Sequence, residues 1–352
     1  MIIVNLMRLA RFAALTSLAA LAWSASWPPA AQAQTAIRFT LDRKIDGPSA
    51  PFFLALERGY FKAEGLDVTI GAAGTPPEAI DRLASGEYDM GVADSNLLIK
   101  FHDSNPDMAI KAVFAVFDKP PYSIIARKSR GIAAPADLAG KKLGAPAGDS
   151  AFAQWPIFAN VNGIDPGKVT IENVGAPVRE PMLAAGEVDA ITGYSFTAYV
   201  DLVNRGVPAD DLVVFLMADY DVELYGDVIA VAPRLAVEKP EAVRAFLRAY
   251  VSALKDTVRD PAQAIDAVLH RNDGIKREVE LEHLRMAIRD NILTPAVKML
   301  GYGAVDPERL ALAIDQLSLT YHFKAKDKAT AVFDLSSLPP AAERGANGTA
   351  SR

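Results

Sequence analysis

The sequence predicts an α/β protein made of two doubly wound lobes joined by a two-strand hinge. Three observations lead there. "LASGEYD" (residues 83–89) returns one hundred residues later as "LAAGEVD" (183–189), with Leu, Ala, Gly, Glu and Asp coinciding at five of seven places. Each copy sits in the same β-α-β-α-β alternation, the pattern of a parallel sheet covered by helices. Hydrophobic content of 51% with 23% charged residues suits a large packed core and excludes a disordered or fibrous chain.

In the first half, "IRFTL" (37–41) reads as a strand and "PFFLALERGYFKAEG" (51–65) as a helix, with Phe52, Phe53, Leu56, Tyr60 and Phe61 on its apolar side. "LDVTI" follows as a strand. Thr75-Pro76-Pro77-Glu78 has the form of a capping box that opens the next helix. That helix ends near Gly86, where a left-handed residue is needed, and "YDMGVAD" is the third strand. The second half repeats the order. "KKLGAP" (141–146) is a strand, "SAFAQWPIFANVNG" (150–163) a helix and "VTIEN" (169–173) a strand. Then come a helix ending near Gly186 and the strand "VDAITGY". The segment 119–131 leaves one lobe as a strand and enters the other, and "DVIAVAPR" (227–234) carries the chain back. Helices over 239–260, 261–271, 277–290 and 306–319 complete the chain, their apolar residues recurring at helical spacing, as in Val243, Phe246, Leu247, Tyr250 and Leu254. The expected organisation is residues 1–33 as a signal peptide, 34–122 plus 227–335 as lobe one, 123–226 as lobe two, and 336–352 as a flexible tail.

The signal peptide rests on Arg8 and Arg11 before the apolar run Phe12–Trp23, followed by Ala31-Gln32-Ala33 as a small-residue cleavage site. The run is too short to cross a bilayer. Residues 1–33 carry two arginines and no acid, so their removal takes the net charge from −6 to −8. An acidic surface repels phosphate backbones, so no nucleic-acid partner is expected. The absence of cysteine excludes disulfides, thiol nucleophiles, thiolate metal sites and a lipid-modified cysteine. His102, His270, His283 and His322 stand in no metal-like or triad-like spacing, and no Walker A, H-E-x-x-H or G-x-S-x-G motif appears, so neither a cofactor nor a metal is expected. The mature chain is expected to be a soluble periplasmic monomer.

Open sheets place their sites at the carboxyl ends of the strands, which picks out the candidate ligand-binding residues. Asp42 and Arg43 follow the first strand, and Lys44 reads as a solvated turn. Ser49 caps the next helix or lines the cleft. Thr75 serves its capping box, with ligand contact secondary. Asp94 and Ser95 end the third strand, and Asp94 either caps the following helix or offers its carboxylate to a ligand donor, two compatible roles. In the second half Asp149 or Ser150 caps a helix after Gly148. Trp155 is either core or a stacking surface. Arg179 stands at a helix N-terminus, where the helix dipole disfavours a cation, so Glu180 or a bound anion must compensate. Tyr194 mirrors Asp94, and Tyr225 precedes the return strand.

The stretches "APFFLALERGYFKAEGLDVTI" (50–70), "AIDRLASGEYDMGVAD" (79–94) and "PADLAGKKLGAPAGDS" (135–150) resemble the solute-binding proteins of bacterial ABC importers. The subfamily is that of the taurine, alkanesulfonate and nitrate binders and of the thiamine pyrimidine-precursor binders. The resemblance runs in order from about residue 36 to about 335. It implies the type II periplasmic binding protein fold, a small-molecule ligand held without chemistry and an inner-membrane permease as partner. It leaves the ligand open. In the pyrimidine binders an aromatic residue follows the aspartate where Arg43 stands here. A small sulfonate or carboxylate would be held by Arg43 and Arg179. A nitrogen heterocycle would use Asp42 and Asp94 and stack on Trp155 or Tyr194. The alternatives from other classes are a pyrimidine-precursor-synthase-like enzyme, whose cysteine-rich chemistry this chain lacks, and an exported ligand-sensing domain.

Overall fold

The computed structural model describes residues 34–346, so the predicted signal peptide lies outside the described residues. The elements, in chain order, are β1 (Thr35–Leu41), α1 (Ala50–Glu57), α2 (Tyr60–Ala63), β2 (Leu66–Ala72), α3 (Pro76–Ala84), β3 (Met90–Asp94), α4 (Ser95–Ser104), β4 (Lys111–Ala115) and β5 (Tyr122–Arg127). Next come β6 (Lys142–Ala145), α5 (Ser150–Ala153), α6 (Trp155–Val161), β7 (Thr170–Asn173), α7 (Arg179–Ala185), β8 (Ala190–Tyr194), α8 (Ser195–Asn204), β9 (Leu212–Leu216) and β10 (Asp227–Val231). A run of helices follows: α9 (Pro233–Glu238), α10 (Pro240–Arg259), α11 (Pro261–Leu269), α12 (Arg277–Ala287), α13 (Pro295–Leu300) and α14 (Pro307–Leu317).

Two five-stranded sheets form, ordered β2-β1-β3-β10-β4 and β7-β6-β8-β5-β9. The orders correspond strand for strand. β1 pairs with β3, and β6 with β7 and β8, in parallel, as the alternation requires. The crossing strands add an antiparallel part, so the sheets are mixed. β10 is antiparallel to β3 and β4, and β5 is antiparallel to β8 and β9. β5 and β10 are the strands by which the chain changes sheets. Each starts at the carboxyl end of its new sheet, and therefore runs against its neighbours.

The crossings lie against one another. Gly226 N–H donates to Phe117 O at 3.0 Å and Val116 N–H to Asp227 O at 2.8 Å. A β-carbon on Gly226 would stand 2.8 Å from Phe117 Cβ and 3.0 Å from Pro120 Cα. Only glycine fits between the two straps.

An aromatic stack anchors β1. Phe39 lies 4.8 Å from Phe52 and 5.1 Å from Phe246, while Phe52 stacks on Tyr250 at 4.5 Å. These residues seat α10 against α1, and each such pair adds about 0.5–1.5 kcal/mol beyond area burial.

Local departures from the sequence reading have local causes. The helix expected over 51–65 breaks into α1 and α2 at Gly59, which takes φ 70°. The helix expected over 150–163 breaks at Gln154, where Pro156 lacks the N–H that would continue the ladder. Thr75 makes no side-chain cap; Glu78 instead accepts from Gly74 N–H at 2.8 Å, so the capping box does not form. Gly86 and Gly186 adopt the expected left-handed conformation, at φ 74° and 77°. The tail is not free from residue 336 onward. Arg344 donates to Pro339 O, Leu300 O and Tyr302 O, and Leu338 packs on the core, so order extends at least to Ala346.

Gly226→Ala is expected to lower unfolding free energy by about 1–3 kcal/mol through overpacking of the crossing straps, read as a reduced midpoint in urea.

Candidate functional site

The carboxyl ends of the two sheets meet, and the pairing registers decide what meets there. Asp227, the first residue of β10, sits opposite Asp94, the last residue of β3. In the other sheet Tyr122, which opens β5, sits opposite Tyr194, which ends β8. Two aspartates thus face two tyrosines. Tyr122 O–H donates to Asp94 Oδ2 at 2.6 Å, and both residues are fully buried. Asp94 Oδ1 also accepts from Asn96 N–H at 2.9 Å and Leu97 N–H at 3.1 Å, capping α4.

Arg43 forms the second tie. Its Nη2 donates to Asp42 Oδ2 at 3.0 Å and to Asp227 Oδ2, and its Cζ lies 5.0 Å from the centre of the Tyr194 ring. Asp42 and Asp227 are buried. Burial pushes the Asp227 carboxyl well above the usual carboxylate range, with Arg43 opposing and the charges of Asp42 and Asp94 adding to the rise. Burial likewise raises Asp42 against the pull of Arg43. Burial also acts against the charge on Arg43, but Asp227 and Asp42 outweigh it and hold the guanidinium firmly protonated. Asp227 Oδ1 is buried and has no hydrogen-bond partner among the described residues.

A second charge cluster stands on the other sheet. Arg179 Nε and Nη2 donate to Glu180 Oε1 at 2.8 and 2.5 Å, and Nη1 reaches Asp149 Oδ2 at 3.4 Å. Asp149 caps α5 through Ala151 N–H and accepts from Thr192 Oγ1 at 2.9 Å. Burial raises its carboxyl, with Arg179 opposing. Gly193 makes room for this arginine, since a β-carbon there would stand 3.0 Å from Arg179 Cζ.

Between the clusters lies a cavity of about 250 Å³, lined by Arg43 and Pro76 from the first sheet's side and by Gly148, Asp149, Ser150, Arg179, Tyr194 and Thr197 from the second's. Ser150 Oγ is buried without a partner among the described residues. A smaller recess of about 20 Å³, lined among others by Asp42, Arg43, Asp46, Ser49, Phe117 and Asp227, adjoins Arg43 on the first sheet.

The structure therefore brings Arg43, Asp149, Ser150, Arg179 and Tyr194 to one cavity, with Asp42 and Ser49 in the recess. The other candidates named from the sequence fall elsewhere, for physical reasons. Asp94 is spent on its cap and on Tyr122. Ser95 Oγ donates to Tyr225 O. Thr75 is exposed beside the cavity-lining Pro76. Trp155 is 4% exposed and packs on Phe158 in the core, not on the cavity wall. Tyr225 is 2% exposed, beneath Arg309, and accepts from Asp306 N–H. Ser49 does not cap α1; it exchanges hydrogen bonds with Asp46, which caps the short turn before that helix. Of the histidines, His283 is buried beside Glu280 at 3.2 Å, and no metal-holding cluster occurs among the described residues.

Asp227, Tyr122 and Thr197 escape a reading of the sequence. The available signal for Asp227 is a lone acid opening the apolar run "DVIAVA". Its partner Arg43 is far away in sequence, so that signal alone names no role.

The family model described as "NMT1/THI5 like" matches residues 48–264. The chain belongs to that family. A riboflavin-binding protein of Chloroflexus aurantiacus is 27% identical over 226 residues, 62% of either chain, so this chain spans less than two thirds of that relative's length. A 4-amino-5-hydroxymethyl-2-methylpyrimidine phosphate synthase of Schizosaccharomyces pombe is 27% identical over 66% of this chain and 67% of the relative. A formylaminopyrimidine-binding protein of Halalkalibacterium halodurans is 26% identical over 67% of this chain and 72% of its own. Among solved structures, the periplasmic aliphatic sulphonate binding protein of Escherichia coli superimposes with TM-score 0.66 at 17% identity, covering 82% of this chain and 92% of that one. That likeness shows the fold, the type II periplasmic binding protein fold. No helix among the described residues is long and apolar enough to cross a membrane.

The site's charges set two expected outcomes. Asp94→Ala removes a cap worth about 1 kcal/mol and leaves the buried Tyr122 O–H without its acceptor, the oxygen still accepting from Asn96 Nδ2, so a loss of about 2–4 kcal/mol is expected in chemical denaturation. Burial lifts Asp46 to about 6, with Arg43 opposing and Glu280 and Asp42 adding to the rise. The fold prefers its protonated form, so this contribution is complete below the unfolded value of about 4 and is lost as pH rises through about 6. Asp46→Asn is expected to flatten the dependence of Tm on pH across that window.

Proposed function

We propose that this protein is the solute-capturing component of a bacterial ABC importer, exported to the periplasm. It holds one small organic solute between a first lobe (34–122 with 227–335) and a second (123–226) and passes it unchanged to an inner-membrane permease. The observation that carries this reading is a cavity of about 250 Å³ walled from the carboxyl ends of both sheets. A solute touching both walls favours the closed form, since only differential affinity shifts such an equilibrium. Capture rather than turnover is favoured by the names of the bacterial relatives and of the structural neighbour. The synthase name of the fungal relative keeps an enzyme as the alternative.

The charges favour a ligand that donates hydrogen bonds. Arg43 and Arg179 taken alone would call for an anion, but each already has carboxylates of its own, Asp42 and Asp227 for one and Glu180 and Asp149 for the other. Counted with these partners, the two arginines stand among four carboxyls, of which Asp149 lines the cavity and Asp42 and Asp227 line the adjoining recess, and burial disfavours the ionisation of all three. A planar nitrogen heterocycle carrying N–H donors relieves that excess, in keeping with the formylaminopyrimidine-binding relative. A small sulfonate or carboxylate is the second reading, favoured because both arginines line the cavity.

Thermal-shift and calorimetric titration of the mature protein against aminopyrimidines, alkanesulfonates and small carboxylates tests this. Aminopyrimidines are expected to stabilise the protein by about 2.7 kcal/mol at a hundredfold excess over Kd. Tyr194→Ala is expected to weaken them about tenfold or more. A response confined to sulfonates and carboxylates reverses the ligand class. Turnover of a bound compound replaces capture by catalysis.

A further inference from the structure

Arg43 and Arg309 form an instructive pair. Both lay a guanidinium over a tyrosine, Arg43 over Tyr194 at 5.0 Å and Arg309 over Tyr225 at 4.2 Å. Arg309 is a structural pin. All three of its nitrogens donate, to Asp118 Oδ1, Asp118 O, Leu224 O and Glu223 O. Arg43 is half engaged. Only Nη2 donates; among the described residues Nε and Nη1 reach no acceptor within hydrogen-bond distance, the nearest ionic partner of Nη1 being Asp46 at 3.9 Å. Its side chain is 22% exposed, and Arg43 is a lining residue of both the cavity and the recess. On the recess side Asp227 Oδ1 lacks any partner among the described residues.

We propose that Arg43 is an internal competitor for the cavity's aromatic subsite: its guanidinium occupies the place of a planar, donor-bearing solute between Asp42, Asp227 and the ring of Tyr194, and such a solute binds by displacing it. This rests on the reading of the cavity as a solute site and adds a specificity-determining residue to it. The chemistry of the slot is that of its occupant. It offers a ring face on one side and two carboxylates at the edge, which suits a flat cation or an amidine-like N–H pair. Displacement exposes two carboxylates, so a neutral ring without donors, or an anion, gains nothing by entering. The fraction of time that Arg43 fills the slot lowers the apparent affinity of every solute that needs it.

The test compares the intact mature protein with Arg43→Ala and Arg43→Lys, using benzamidine as the planar amidinium probe and millimolar guanidinium chloride as the excised side-chain head. If Arg43 fills the slot about nine-tenths of the time, Arg43→Ala binds benzamidine about tenfold more tightly than the native protein. Guanidinium is expected to raise the Tm of Arg43→Ala but not of the native protein, and to compete with benzamidine in the variant. Arg43→Lys keeps a cation for Asp227 but cannot lie flat on Tyr194, so it is expected to fold and to bind benzamidine with intermediate affinity; it carries the comparison if Arg43→Ala is too unstable. A purely structural arginine gives the opposite, with affinity equal or weaker in both variants. Equal benzamidine affinity in all three proteins overturns the competitor role and leaves the cavity as a binding site. Guanidinium binding to Arg43→Ala with no ring compound of any class binding to any of the three overturns both the competitor and the solute-site reading.

Discussion

The junction of the two sheets depends on how one guanidinium is shared among buried carboxylates. Asp42, Asp94 and Asp227 gather at the strand ends with Arg43 as the cation hydrogen-bonded to two of them. Isolated, each acid would be costly to bury. Asp94 is stabilised separately, by two backbone N–H groups and the Tyr122 hydroxyl. Asp42 and Asp227 share Arg43, and burial, which Arg43 offsets only in part, holds both carboxyl groups above their ordinary range. The same guanidinium is the contact through which β1 of one sheet meets the ring at the end of β8 in the other.

The architecture explains why these groups converge. The two sheets have corresponding strand orders, and among the described residues the strands running against the parallel grain are the two that change sheets. Each of those strands begins at the junction, so each contributes its first residue there: Asp227 from β10 and Tyr122 from β5. The residues opposite them, Asp94 and Tyr194, end the strands that the repeated phrase introduces. Repetition of the β-α-β-α-β order in the two sheets, with the straps exchanged, thus yields a four-residue junction of two acids and two tyrosines. Gly226 lets the straps touch, and the stack of Phe39, Phe52, Phe246 and Tyr250 fixes the strand from which Arg43 departs.

Much of the candidate site is legible in the sequence because it sits at strand ends, and strand ends follow from hydrophobic pattern and glycine position. Arg43, Asp149, Ser150, Arg179 and Tyr194 can be picked out in this way and share one cavity. Trp155 and Tyr225 cannot be placed so, because helical or strand-edge position does not tell which way a large ring points; both rings go to the core, where burying them gains more than exposing them at a cleft. Thr75 departs from its expected cap because Glu78 closes on the neighbouring glycine's N–H instead. Asp227 is silent in the sequence because its meaning lies in a partner 184 residues away.

By itself the sequence determined the α/β class, the internal repeat, the glycine-terminated helices and the family resemblance, because these depend on local periodicity, backbone preference and ordered motifs. Tertiary structure alone decided the antiparallel sense of the crossing strands, the pairing of Arg43 with Asp227 and the facing of two aspartates by two tyrosines. Those outcomes depend on which strand ends are brought within a few ångströms, and charge interactions at that range are set by distance and burial, neither of which is written in the order of residues along the chain.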